Sequence, residues 1–177
     1  MKKITRLAIF DFDGTLIDTP LPEVGKVTYQ EKTGNPWPHE GWWGRHESLD
    51  LEIFDMPTVD TVIADYEKQM AAEDTACVLL TGRMVKLTSH VMAILKAKNL
   101  PFDEYHLNRG GATEMAKMKS MEKLLEKYTD ATEIEQWDDR LSHIPIFQEW
   151  GDKQVASGRL LKYKINVVTL EGRDGTH

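Results

Sequence analysis

Cysteine is almost missing from this chain: Cys77 is the only one in 177 residues. That excludes an internal disulfide and any cysteine cluster for structural zinc, and it suits a reducing cytoplasm. The lone thiol lies in an apolar run, Cys77-Val78-Leu79-Leu80, and reads as a core residue. Long hydrophobic runs are missing too. No stretch approaches the roughly 18 to 20 apolar residues that cross a bilayer, and Met1-Lys2-Lys3 leads into a short strand-like run rather than a signal peptide. The expectation is a cytoplasmic protein with no membrane partner. Excess positive charge is also absent, since 22 Lys and Arg stand against 29 Asp and Glu for a net charge of -7. Wide non-specific affinity for phosphate backbones comes from clustered Lys and Arg and is not expected here, although a local basic groove is compatible with that balance. Internal repeats, low-complexity segments, long linkers, a P-loop and a ligase motif are all lacking.

What is present is a chain 41% hydrophobic and 29% charged, enough for one domain over 1–177 with a real core and a small insertion. Leu7-Ala8-Ile9-Phe10 is a short apolar run ending in Asp11-Phe12-Asp13-Gly14-Thr15; it predicts a buried parallel strand opening into a turn. Cys77 to Leu80 is a second such run, ending in Thr81-Gly82-Arg83. After it, Val85, Leu87, Val91, Ile94 and Leu95 recur at near-helical spacing until Asn99 and Pro101. A short strand is expected from Asp103 to Leu107, then a helix from Thr113 to Tyr128 with Met118, Met121, Leu125 and Tyr128 on one face. A strand from Thr132 to Trp137 ends in Asp138-Asp139-Arg140, a helix follows towards Trp150, and a last strand runs from Tyr163 to Leu170. Strands alternating with helices imply an α/β fold with a central parallel sheet, in which ligands bind at the carboxyl ends of the strands. Each polar motif sits at such an end. The stretch from about 20 to 74, with Trp37, Trp42, Trp43 and Gly34-Asn35-Pro36, reads as an insertion over the sheet.

Asp11 and Asp13 put two carboxylates in one turn, Gly14 lets backbone amides approach an anion, and Thr15 adds a hydroxyl. By chance, Asp-x-Asp-Gly-Thr turns up in about one chain in a thousand of this length. Phosphate monoesters are anionic and hydrolyse very slowly, so an attacking carboxylate needs a metal to offset the repulsion. Asp11 would attack phosphorus and form an aspartyl-phosphate; Asp13 would protonate the leaving oxygen and later activate water. Magnesium suits a site made of oxygen ligands. Thr81, ahead of a helix, reads either as a phosphate-binding hydroxyl or as a helix cap. Asp138 and Asp139 read either as a pair compensated by a metal or as a solvated helix start. Of the lysines at 117, 119, 123 and 127, most belong to a solvated face.

In order along the chain, Asp11-Phe12-Asp13-Gly14-Thr15, Leu80-Thr81-Gly82-Arg83, a downstream lysine and Asp138-Asp139-Arg140 resemble the haloacid dehalogenase superfamily over nearly the full length. Within it, the chain is similar to the phosphatase domains of nucleic-acid end-repair proteins, including polynucleotide kinase/phosphatase and the Swiss Army Knife RNA repair-like family. Gly41-Trp42-Trp43, Phe102 to Leu107 and Asp138 to His143, with Phe147 after it, carry that second likeness. The resemblance implies a Rossmann-like three-layer α/β/α fold with a small cap after the first strand. It also implies Asp11 as nucleophile, Asp13 as acid/base and Thr81 on the phosphate, with a lysine stabilising the phospho-aspartate. Lys117 is that lysine on the match of its helix start, with Lys119 as the substitute; Ala116 stands where the end-repair branch usually carries an aromatic. Magnesium would be held by Asp11, the backbone carbonyl of Asp13 and one of Asp138 and Asp139.

Substrate contacts are expected from Gly14, Thr15, Gly82, Arg83, Trp42, Trp43 and Arg140, with Arg45 and His46 also placed to face the site. The tryptophans would either stack a base or anchor the cap; Arg140 and His143 would orient the second aspartate or substrate, or pair with the acidic helix start. The resulting expectation is a magnesium-dependent phosphomonoesterase acting on a nucleotide or a nucleic-acid 3′ end, working alone or with a separate kinase or ligase as partner. A small-metabolite or free-nucleotide phosphatase is the alternative within enzymes; a non-catalytic nucleic-acid-binding or regulatory module is the alternative outside them.

Overall fold

The apolar run near the start becomes a strand because its side chains find partners on both faces. In the computed structural model, which describes residues 2–175, β1 (Arg6–Phe10) sends Leu7 and Ile9 to one side and Ala8 and Phe10 to the other, all buried. That period of two with no polar face is what a central strand needs. Its neighbours are β2 (Thr75–Met84) and β4 (Glu133–Asp138), with β3 (Glu104–Asn108) and β5 (Lys162–Val167) at the edges. The result is one parallel sheet of order β3-β2-β1-β4-β5.

Helices cover both faces. On one, α2 (Asp60–Ala71) and α3 (Thr88–Ala97) set Val62, Tyr66, Val91 and Ile94 against Ala8, Phe10, Cys77 and Leu79. On the other, α4 (Thr113–Lys127) and α5 (Ile144–Ala156) set Met121, Leu124, Leu125, Phe147 and Trp150 against Leu7, Ile9, Val78 and Leu80. The expected three-layer α/β/α arrangement is the observed one. At the C-terminal edge, Phe10 and Trp137 are register partners whose rings stack 4.2 Å apart at 7°, an arrangement worth about 0.5–1.5 kcal/mol beyond the area it buries. The residues that follow them, Asp11 and Asp138, therefore leave the sheet side by side.

Two local expectations are corrected. β2 does not stop at Leu80; it continues through Thr81-Gly82-Arg83 to Met84, with a register shift against β3 between Leu80 and Met84. A single 3₁₀ turn, Val85–Leu87, follows, and α3 begins only at Thr88, so Thr81 lies in extended chain and not at a helix N-terminus. The second correction concerns Trp42. The chain ahead of α2 holds α1 (Pro22–Thr33) and a 3₁₀ turn at His46–Leu49, and Trp42 is its buried centre. The indole lies on Gly25 of α1, where a Cβ would come within 2.1 Å of the ring, and its centroid is 4.6 Å from that of Trp37 and 5.5 Å from that of Phe54. Trp42 anchors this segment and does not face substrate.

Candidate active site

Asp11 continues the ladder beyond β1, its N–H donating to the Trp137 carbonyl at 3.0 Å. Phe12 then turns back into the core while Asp11 and Asp13 face a cavity of about 180 Å³ at the C-terminal edge of the sheet. The loop closes through the Gly14 N–H, which donates to the Ile17 carbonyl at 2.8 Å. Gly14 has φ +72°, and a Cβ there would stand 2.2 Å from Asp139 Oδ2; only glycine lets this loop lie against Asp139. Thr15 is fully buried and donates its hydroxyl to Asp11 Oδ2 at 3.0 Å.

Lys117 reaches the loop from the second turn of α4. Its Nζ lies 3.0 Å from Asp11 Oδ1 and 2.6 Å from Asp138 Oδ2, and its side chain is 4% exposed. Burial works against this ammonium, but Asp11 and Asp138 hold it protonated above the usual lysine range. Lys119, two residues on, is exposed and lies outside this cavity. Asp138 is taken on both oxygens, since Oδ1 accepts the Arg140 N–H at 3.1 Å. Arg140 and Gly82 also line the cavity, as does His143. Burial, then Arg140, depresses the His143 imidazole below its ordinary range, which keeps the ring neutral.

Oxygens of Asp11, Asp138 and Asp139 all lie within 4.8 Å of one another. Three buried carboxylates share one ammonium. Burial and then Asp138 push the Asp11 carboxyl well above its ordinary range, against the pull of Lys117. A hard divalent cation fits this set on two counts: every donor is oxygen, and added positive charge relieves the crowding.

Asp13 is held differently. Arg83 grips it with Nε to Oδ2 at 2.9 Å and Nη2 to Oδ1 at 2.8 Å, and Thr19 donates to Oδ1 at 2.7 Å. Burial raises the Asp13 carboxyl, but the Arg83 fork and Thr19 outweigh it and leave it below the usual range. The remaining Arg83 bonds run to the Trp43 carbonyl at 2.7 Å and Ser48 Oγ at 2.8 Å, and its guanidinium stacks 4.9 Å from the centre of the Trp43 ring. Arg83 was expected on substrate; its donors are instead spent tying Asp13 to the segment ahead of α2. Trp43 lines the cavity, whereas Arg45 and His46 are exposed and do not. Thr81 is buried beside it, accepting the Arg83 N–H on Oγ1 at 3.1 Å.

Sequence reasoning missed Thr19, Ser48, Thr113 and Arg173. Thr113 lines the cavity against Gly82, and Arg173 stands 3.9 Å from Asp139 Oδ2 through Nη2. The hydroxyls are single polar residues in irregular chain; Arg173 lies in a short charged run after the last strand, where no periodicity points to a face.

Comparison with known proteins agrees with this geometry. The family profile described as HAD domain family 1 in Swiss Army Knife RNA repair proteins matches residues 26–174. The uncharacterized protein YMR265C of Saccharomyces cerevisiae is 27% identical over 170 residues, an alignment covering 83% of this chain and 37% of that protein. The chain thus spans little more than a third of the length of that relative. Among solved structures, the HAD domain of the effector protein Lem4 from Legionella pneumophila superposes with a TM-score of 0.51 at 13% identity, covering 98% of this chain and 91% of that one. A haloacid dehalogenase-like family hydrolase from Streptococcus pneumoniae superposes with a TM-score of 0.50 at 16% identity, covering 92% and 94%. These likenesses show the fold.

Proposed function

This chain belongs to HAD domain family 1 of the Swiss Army Knife RNA repair proteins, and on that premise we propose that it is a magnesium-dependent phosphomonoesterase acting on the phosphorylated 3′ end of a nucleic acid. The observation that carries the reading is the buried cluster of Asp11, Lys117, Asp138 and Asp139. A binding module has no need to pack three carboxylates round one ammonium, at a cost in charge crowding, beside an open cavity.

The chemistry runs in two displacements. An Asp11 carboxylate oxygen attacks phosphorus, the bond from phosphorus to the sugar oxygen breaks, and that oxygen leaves with a proton. Water then attacks phosphorus, gives up a proton, and releases inorganic phosphate with Asp11 restored. Asp11, the Asp13 carbonyl and Asp139 or Asp138 would hold magnesium, which supplies positive charge against the phosphoryl oxygens. Lys117 adds charge on the same side and holds Asp11 in place. Thr15 fixes the other carboxylate oxygen of Asp11.

Asp13 moves the proton. The Arg83 fork keeps it ionised, the form that accepts a proton from water in the second displacement. To donate in the first displacement it must be released from that fork. Because Arg83 is also bonded to Ser48 and the Trp43 carbonyl, movement of the segment ahead of α2 is what releases it.

The test compares release of phosphate from a 3′-phosphorylated oligonucleotide and from mononucleotides, with magnesium and with chelator. Turnover that needs magnesium, prefers the oligonucleotide and falls by at least about a thousand-fold in Asp11→Asn is expected. Indifference to chelator, or full activity in folded Asp11→Asn, sinks the mechanism. Preference for mononucleotides leaves the chemistry standing and moves the substrate to free nucleotides.

A further inference from the structure

Arg173 comes from the chain after β5, yet its side chain is only 7% exposed. Nη1 donates to the Thr19 carbonyl and lies 3.4 Å from Asp18 Oδ1. Nε and Nη2 have no hydrogen-bond partner among the described residues. Nη2 stands 3.9 Å from Asp139 Oδ2, within electrostatic reach but beyond hydrogen-bond distance. Buried guanidinium N–H groups are seldom left this way, because they give up water without replacement. A ligand carrying two anionic oxygens is what the planar Nε–Nη2 edge fits.

A second observation says where that ligand lies. Arg173 lines a cavity of about 750 Å³ together with Glu23, Trp43 and Asp174, and Trp43 also lines the smaller cavity over Asp11, so the two spaces adjoin at the indole. Sites for small molecules run from about 300 to 1,000 Å³. The Asp11 cavity, at about 180 Å³, has room for a phosphoryl group and little more, whereas its neighbour falls within that range. Whatever is attached to the phosphate must continue past Trp43 towards Arg173.

We propose that this second cavity is a subsite for the nucleotide unit next to the reacting phosphate, with the flanking phosphodiester on the Nε–Nη2 edge of Arg173 and the base against Trp43. Glu23 and Asp174 disfavour a ligand that is only an anion; they suit one that also presents hydroxyl or amino donors, as a sugar and base do. Tryptophan offers a stacking plane to any base, so the subsite reads backbone charge rather than sequence. The inference rests on the reading of Asp11 as the nucleophile of an end phosphatase, and it narrows the substrate to a chain of at least two nucleotides. Arg173 acts here as a binding residue, not as part of the reacting group.

The experiment removes the charge from the ligand instead of from the protein. Binding of a 3′-phosphorylated dinucleotide is measured by calorimetry in magnesium against the same compound with a neutral methylphosphonate linkage, using turnover-deficient Asp11→Asn protein. With Arg173 intact the neutral linkage should bind about ten-fold more weakly, the effect of one charge-assisted hydrogen-bonded pair. In Arg173→Ala the two compounds should bind within about two-fold of each other, and Arg173→Lys, which keeps the charge but loses the fork, should fall between. Equal binding of both compounds to the Arg173 protein overturns the proposal, and so does an undiminished difference in Arg173→Ala. If the ten-fold preference holds while unsubstituted protein hydrolyses neither compound, the subsite stands and the phosphatase reading falls. If both are hydrolysed with equal kcat/KM and bind equally, the phosphatase reading stands and the subsite falls.

Discussion

Arg83 and Asp13 meet edge to edge, two parallel hydrogen bonds of 2.9 and 2.8 Å joining β2 to the loop after β1. Removing one member of a buried pair strands the other charge, at about 3–5 kcal/mol. Arg83→Ala should therefore lose that much stability in urea unfolding, and Arg83→Lys, which cannot make the fork, about half. A loss below about 1 kcal/mol in Arg83→Ala would show that Asp13 is compensated by other groups.

Lys117→Ala should behave differently with and without metal. In chelator it leaves Asp11, Asp138 and Asp139 facing one another with no ammonium, and a marked drop in Tm is expected. Magnesium at a hundred times its Kd stabilises by about 2.7 kcal/mol, so added magnesium should recover part of the drop. Equal drops in chelator and in magnesium would mean that the carboxylates do not bind the ion.

Gly14→Ala probes the approach of the loop to Asp139. The added Cβ needs a left-handed backbone and meets Asp139 Oδ2 at 2.2 Å, so either the loop or the carboxylate must move. Strain of this kind costs about 1–3 kcal/mol. Magnesium affinity should fall more than ten-fold while far-ultraviolet circular dichroism is unchanged. Unaltered affinity would exclude Asp139 as a ligand.

The neighbouring tryptophans should separate stability from substrate binding. Trp42 is packed over Gly25, and Trp42→Ala should cost about 3–5 kcal/mol as core truncations do. Trp43→Ala should instead raise KM for the oligonucleotide several-fold with a smaller change in Tm. The reverse pattern would assign the roles the other way round.

Acid should uncouple one edge of the sheet. Burial raises the Glu104 carboxyl, but Lys127 at 2.9 Å, the Tyr128 hydroxyl and His106 at 3.1 Å hold it below its ordinary range. A carboxyl depressed in the folded state stabilises at pH above its unfolded value, near 4.3, and that contribution disappears as pH falls through the folded value. The Tm difference between the parent and Glu104→Gln should thus be full at pH 7 and shrink steadily below about pH 4. A difference independent of pH would show that the bonds to Glu104 do not depend on its charge.

Much of the architecture was legible because buried parallel strands declare themselves as apolar runs, and a motif at the end of each run has only one sheet edge on which to lie. Asp11, Thr81 and Asp138 follow that rule, and Lys117 differs from Lys119 by the helical angle that turns one into the core and the other to solvent. The surroundings of Thr81 were misjudged because the bulge in β2 and the 3₁₀ turn have no periodic signature. Trp42 and Trp43 are adjacent in irregular chain, where nothing in the pattern says which points inward; Gly25, seventeen positions earlier, decides it. Arg173 was invisible for a related reason, since its place beside Asp139 depends on where the chain goes after β5.

The order β3-β2-β1-β4-β5 sets the timetable of assembly during synthesis. β1 is the first strand to leave the ribosome, but Arg6 must wait for Thr75 on one side and for Glu133 on the other. Until then its four apolar residues have no sheet to join, and pairing across such separations is slow. The nucleophile is therefore among the earliest residues made and among the last to be seated, so a ribosome-bound fragment ending before β4 should carry Asp11 without a working site.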